Sequence, residues 1–232
     1  MGAEGRLGTR ERLVEAAGPV FAARGYRGAT LREIARQAGT NLAAANYHFG
    51  SKQRLYREVA RAYFERLQRR LEERGALVDP EALARLSRAG IADLLRQRVR
   101  TMLETLLDRE NPHAPLMQRE LAEPSEALPF IVRRYIGPLR RDMELLLAAL
   151  APGLGAGDLE RCAFSAIGQV SFYLFARPAL LLLMGRKTYP EGFADEVADH
   201  VTRFTLGGLE QLAAQAAGEP GRRRARSRGE RP

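Results

Sequence analysis

Apolar residues recur with a helical period from the start of the chain. Leu13, Ala16, Ala17, Val20 and Phe21 fall at i, i+3, i+4, i+7 and i+8, one face of an amphipathic helix. Thr9 can cap that helix and Gly25 can end it. Pro19 lies inside the run and should kink or shorten it, because it has no N–H and its ring crowds the preceding turn. Thr30-Leu31-Arg32-Glu33 reads as a capping box. The helix it opens presents Leu31, Ile34, Ala35 and Ala38 to the first. Gly39-Thr40-Asn41 is a tight turn, with Thr40 or Asn41 capping a third helix over residues 42–49. Gly50-Ser51 breaks the pattern again. A fourth, longer helix then carries Leu55, Val59, Tyr63, Leu67 and Leu71 along one stripe.

No stretch alternates as a strand would, so the expected fold is all-α. Asp79-Pro80-Glu81 is an N-cap with proline at the first helical position. Apolar stripes continue over 91–107, 114–121 and 127–150, punctuated by Asn111-Pro112, Glu123-Pro124 and Pro152-Gly153. A strongly apolar segment, Cys162–Ala176, ends at Arg177-Pro178, and a last helix runs from about 193 to 217. Residues 218–232 have no apolar face and read as a disordered, Arg-rich tail. There is no internal repeat.

Composition narrows the class. An apolar share of 45% is ordinary for a folded protein. The single cysteine, Cys162, can build neither an internal disulfide nor a Cys-rich zinc site. No apolar run approaches the ~18 residues of a membrane span, and the basic N-terminus has no signal-peptide core. The net charge of +9 is unevenly spread. Residues 1–57 carry +6, from nine arginines and Lys52 against Glu4, Glu11, Glu15 and Glu33. Residues 219–232 carry +4, which leaves the body near neutral at −1. A basic end on a neutral body points to a polyanion at one end and different work in the rest.

The segment 30–52 gives that polyanion a shape. Two short helices joined by Gly39-Thr40-Asn41, braced by a preceding helix, form a helix-turn-helix. The third helix, Leu-Ala-Ala-Ala-Asn-Tyr-His-Phe, exposes small side chains that allow close approach. Asn46 can pair with an adenine edge, and Ala43 and Ala44 can touch thymine methyls. Tyr47, His48 and Lys52 are donors suited to phosphate oxygens, and Arg32 can reach a guanine or a phosphate.

Residues 7–67 resemble the DNA-binding domain of the TetR family of bacterial transcriptional regulators. The resemblance rests on Phe21-Ala22-Ala23-Arg24-Gly25-Tyr26, Ala29–Ala35, Ala38-Gly39, Tyr47-His48-Phe49 and Ser51-Lys52, in that order. The chain departs from the family's usual aliphatic–Tyr pair at Ala45-Asn46, a change that bears on base preference rather than fold. The strings 41–52 and Met117–Pro124 are similar to a CecR-like branch. The resemblance implies a homodimer that places the third helix of each N-terminal domain in a major groove of a palindromic double-stranded DNA operator. It also implies a larger helical C-terminal domain, 68–217, for dimerisation and a small-molecule inducer, in a cytoplasmic, bacterial repressor associated with the nucleoid when bound. Carried over by motif, Arg32, Ala43, Ala44 and Asn46 would face bases. Thr30, Tyr47, His48 and Lys52 would face the backbone, with Thr40 and Asn41 at the turn.

In the body, the all-round apolar segment holding Phe164, Ile167 and Phe172 pairs with the last helix, which carries Phe204 and Leu209, as the candidate dimer interface. Arg98, Met102, His113, Met117, Gln118, Arg119 and Tyr135, with Gln169 and Tyr173, are the candidate ligand-pocket residues. No HExxH, P-loop or GxSxG motif appears, and the three histidines are scattered, so neither an enzyme nor a metal or cofactor site is expected. The competing reading is an adaptor that binds nucleic acid or an acidic partner nonspecifically. An operator binder should instead discriminate by ~10³ or more over random DNA.

Overall fold

The computed structural model describes residues 7–108 and 114–218, and every regular element among them is helical. His113 and the tail beyond Gly218 lie outside the described residues. The helices are α1 (Thr9–Gly28), α2 (Leu31–Gln37), α3 (Leu42–Phe49), α4 (Lys52–Glu73), α5 (Pro80–Leu83) and α6 (Arg88–Leu107). There follow α7 (Ala114–Ala122), α8 (Leu128–Ile131), a π-helical turn (Val132–Ile136), α9 (Gly137–Leu150), α10 (Ala156–Phe175), α11 (Arg177–Leu183) and α12 (Phe193–Gly218). By its contacts the chain divides into two compact units. One is the chain up to Arg70 together with Glu104–Pro138; the other is Leu71–Leu103 with Leu139 onward.

The core of the first unit is the periodic stripe read from the sequence. Leu13, Ala17, Val20 and Phe21 of α1 are buried with Ile34 and Ala35 of α2, Ala45 and Phe49 of α3, and Leu55 and Val59 of α4. Each large apolar side chain so buried contributes about 1.5–3 kcal/mol. Ala16 and Leu31 are only half-buried, at the edges of their stripes.

Three local expectations are corrected. The N-cap of α1 is Gly8, and Thr9 is its first helical residue, its hydroxyl accepting a hydrogen bond from Arg12 at 3.3 Å. Pro19 does not break α1; the non-helical residue is Gly25, at φ 69°, ψ 171°. Pro19 and Glu15 are both exposed, so the carbonyl that loses its N–H partner meets water instead. At Thr30 only half of the capping box forms. The hydroxyl accepts from the Glu33 N–H at 3.2 Å, but the Glu33 carboxylate turns to Arg24 at 2.6 Å.

In the second unit α6, α9, α10 and α12 share a core of Leu95, Val99, Met143, Leu146, Leu147, Val170, Val201 and their neighbours. Arginines of α6 tie it to α12: Arg96 bonds Asp199, and Arg100 pairs with Asp195 at 2.8 Å. Proline at residue 178 ends the α10 segment as expected, then opens α11 from its first turn. Among the described residues no single helix is long and apolar enough to cross a membrane.

Candidate nucleic-acid interface

The turn between α2 and α3 is built by two residues. Gly39 takes φ +63°, which lets the Gly39 N–H bond the Arg36 carbonyl at 3.2 Å and the Thr40 N–H bond the Ala35 carbonyl at 2.9 Å. That pair of bonds is a Schellman closure, and it satisfies carbonyls that would otherwise be orphaned. Asn41 then caps α3, its Oδ1 accepting from the Ala44 N–H at 2.8 Å. Of the two residues expected as a cap, Asn41 performs it and Thr40 closes the turn. Gly50, at φ +67°, ends α3 by donating its N–H to the Asn46 carbonyl at 2.8 Å.

Because Ala45 and Phe49 point inward, α3 has an outward face. Ala43, Asn46, Tyr47 and His48 are exposed and Ala44 is half-buried. Tyr47 is 87% exposed, unusual for a large aromatic side chain, and it stands edge-on to His48 at 5.3 Å. The Asn46 amide makes no hydrogen bond among the described residues, which leaves its donor and acceptor edge free. Arg32 in the first turn of α2 is exposed without an ion-pair partner among the described residues.

Lys52 has an occupation that sequence reasoning did not foresee. Its Nζ donates to the carbonyls of Ala29 (3.0 Å) and Arg27 (3.3 Å) and sits 4.7 Å from the centre of the Tyr26 ring. The first residue of α4 therefore clamps the Arg27–Ala29 segment, between the Gly25 break in α1 and the start of α2. Motif spacing placed Lys52 beside α3 but carried no sign of this clamp.

Behind α3 the first unit is braced through α7. Tyr56 packs edge-on against Phe21 (4.8 Å) and Tyr26 (5.0 Å), and its hydroxyl donates to the buried Glu120 carboxylate. Burial and that carboxylate push the Tyr56 phenol well above its ordinary pKa, so it stays protonated and a donor. Glu120 also accepts from the Ser125 N–H (3.1 Å) and hydroxyl (3.0 Å). Arg119 donates to the carbonyls of Ala22 and Ala23, each at 3.1 Å, and caps α1 where Gly25 breaks it. Arg119 thus serves α1 here, although the sequence offered it as a pocket residue. Tyr56 and Glu120 were missed because a Tyr–Glu pair 64 positions apart leaves no local pattern.

The body candidates divide between the units. Arg98 is 1% exposed, pairs with Asp142 at 2.8 Å and donates to the Ala76 carbonyl at 3.1 Å. Desolvation pulls its pKa down while Asp142 opposes the fall. Met102 and Met117 are buried as core, Gln118 and Gln169 are half-buried, and Tyr173 meets Phe193 edge-on at 5.5 Å. Tyr135 stacks flat on Phe64 at 4.6 Å. Of the interface candidates, Phe164, Phe172 and Phe204 stand more than half exposed on α10 and α12, and Ile167 is half-buried. Leu209 is corrected to core. At 1% exposure it continues the inward stripe of Val201 and Thr205 and has no surface to offer. Among the described residues no three His, Cys, Asp or Glu side chains converge as a metal-ligand set.

A Schellman-closed helix-turn-helix, with its second helix presenting free polar edges on a basic N-terminal unit, defines a DNA-binding transcriptional regulator. The chain belongs to the TetR family: residues 13–59 match the bacterial regulatory proteins of the tetR family, and residues 91–209 match the C-terminal domain of the HTH-type transcriptional dual regulator CecR. It is 30% identical over 212 residues to the dual regulator CecR of Shigella flexneri, covering 87% of this chain and 93% of the relative. Among solved structures it is similar to a transcriptional regulator from Rhodococcus sp. Rha1 (TM-score 0.59, 24% identity, 87% of this chain and 97% of that one). It also resembles AibR in complex with isovaleryl coenzyme A and operator DNA (TM-score 0.59, 17% identity, 85% and 97%). The family and these relatives are transcriptional regulators rather than enzymes.

Proposed function

We propose that this protein is a ligand-responsive repressor that binds a palindromic operator as a homodimer. In this reading residues 7–67 form the DNA-reading domain, and 68–217 the ligand-binding and dimerisation domain. The carrying observation is the exposed outward face of α3, and in this reading its Ala43, Ala44 and Asn46 meet bases in the major groove. Tyr47, His48 and Thr30 hold phosphates and Arg32 reaches a base edge, with Thr40 and Asn41 setting the angle of entry. The exposed Phe164, Phe172 and Phe204 supply an apolar face for the second copy, and Gly168, Gly207 and Gly208 on the same two helices have open space before them. The AibR complex shows that a like fold accommodates both an organic ligand and DNA. An inducer in the body would favour a state whose paired reading heads misfit the operator.

The test is selection of bound sequences from random duplex DNA with the full chain. An inverted repeat should emerge, with half-sites about one helical turn apart or a multiple of it. On the selected site Asn46→Ala should cost about 1–3 kcal/mol of discrimination at one base pair, with little change on random DNA. Equal loss on both DNAs removes Asn46 as a base reader. Absence of any enriched sequence supports the nonspecific adaptor instead.

A further inference from the structure

A second feature of the first unit lies on α4, beside the reading helix, and borders the face assigned to DNA only at His48. Arg54, Arg57, Glu58 and Arg61 fall at i, i+3, i+4 and i+7, one stripe offset from the buried Leu55, Val59 and Tyr63. Glu65, one turn beyond Arg61, pairs with Arg61 at 3.3 Å, and Glu58, the carboxylate nearest Arg54 and Arg57 on the stripe, is already shared. Arg10 of α1 bonds its Oε2, and Arg61 donates to the same oxygen at 2.9 Å. Arg54 and Arg57 therefore have no ion-pair partner among the described residues. The Nε of Arg57 is shut away from solvent with no hydrogen-bond partner, and its guanidinium lies 5.0 Å from the centre of the Phe130 ring.

These arginines border a cleft of about 250 Å³ whose other wall is aromatic. Phe130 and Tyr135 stand edge to face at 6.0 Å, and Tyr135 is pinned by its flat stack on Phe64. Tyr135 sits in the π-helical turn Val132–Ile136. Such turns widen a helix locally and recur at functional sites. His48 and Phe49, the last residues of α3, complete the rim.

Arg10 and Arg61 are satisfied by Glu58 and Glu65, so Arg54 and Arg57 are left to call for an anion, and a planar guanidinium matches a carboxylate with two parallel bonds. A bare phosphate, or the DNA backbone, would use the arginines but not the rings. The volume lies just below the ~300–1,000 Å³ of drug-sized sites. We propose that this cleft binds a small planar arylcarboxylate, its carboxylate held by Arg54 and Arg57 and its ring against Phe130 and Tyr135. Arg57 is already seated on Phe130, so a head group that meets Arg57 brings the attached ring beside that wall. The site lies within the first compact unit, where α4 meets residues 130–135, and does not depend on which sequence α3 reads.

The test uses the full chain without DNA, titrated calorimetrically with 2-naphthoate, 2-naphthalenemethanol and inorganic phosphate. Naphthoate should bind saturably, one per chain, and at least about tenfold more tightly than either control. Arg57→Gln and Phe130→Ser should each weaken it by about tenfold or more with far-UV circular dichroism unchanged. Arg54 is exposed, so Arg54→Gln gives the same reading in a folded protein should either of those variants unfold. No binding of naphthoate, or binding indifferent to Arg54→Gln, overturns the proposal. Phosphate binding as tight as naphthoate also overturns it and marks the stripe as a track for the DNA backbone.

Discussion

Replacing Lys52 separates a structural role from a DNA-contacting one. Lys52→Met keeps an unbranched side chain while the ammonium is lost, and with it both bonds to the Arg27 and Ala29 carbonyls and the contact with the Tyr26 ring. A hydrogen bond from a charged donor is worth about 1.5–3 kcal/mol when shielded. The Ala29 bond is partly buried and the Arg27 bond exposed, so water recovers much of the second. Loss of the cation's place over the Tyr26 ring adds about 0.5–1 kcal/mol. These contributions overlap, and their total for the helix-turn-helix is about 2 kcal/mol. Hydrogen exchange read by mass spectrometry should show protection over residues 24–45 falling by about thirtyfold, with little change in 140–175. The salt dependence of DNA binding should then change by less than the full unit that one lost phosphate contact removes. Unchanged exchange together with a full-unit change in salt slope would refute the clamp and make Lys52 a phosphate ligand alone.

Gly25→Ala forces a side chain into a φ, ψ region tolerated by glycine, at about 1–3 kcal/mol, and its Cβ would lie 3.1 Å from the Arg119 guanidinium. Gly75→Ala, also at positive φ but facing open space, should cost about 1 kcal/mol, so urea denaturation showing equal losses would discount the Arg119 contact. In the second unit the order of two variants is diagnostic. Asp142→Ala strands a buried guanidinium and should cost about 3–5 kcal/mol. Arg98→Met leaves a carboxylate one-third exposed to water and should cost about 1–2 kcal/mol; thermal melts ranking them the other way would contradict the burial argument.

Much of the fold was legible because its determinants are local. The inward stripes of α1 to α4, the Asn41 cap and the Asp79-Pro80 start are spaced within a few residues, and the chain folds them as read. Pro19 misled because its penalty depends on whether the orphaned carbonyl reaches water, which a sequence does not state. Leu209 misled for a similar reason. Two faces of one apolar helix look alike in sequence, and packing decides which of Phe204 and Leu209 is covered.

From the residues alone came an all-helical chain with a helix-turn-helix at 30–50, a surplus of positive charge around it, and a reading helix whose outward residues are small or polar. Those properties follow from periodicity, caps and composition, each set by neighbours in the chain. Tertiary structure alone decided that residues 104–138 join the reading head in one compact unit and that Glu120 receives the Tyr56 hydroxyl. It also decided that Lys52 clamps α1 and that Phe130 and Tyr135 face the spare arginines of α4. Each of these joins residues tens of positions apart, and such pairings are fixed by how whole helices pack, which no local pattern encodes.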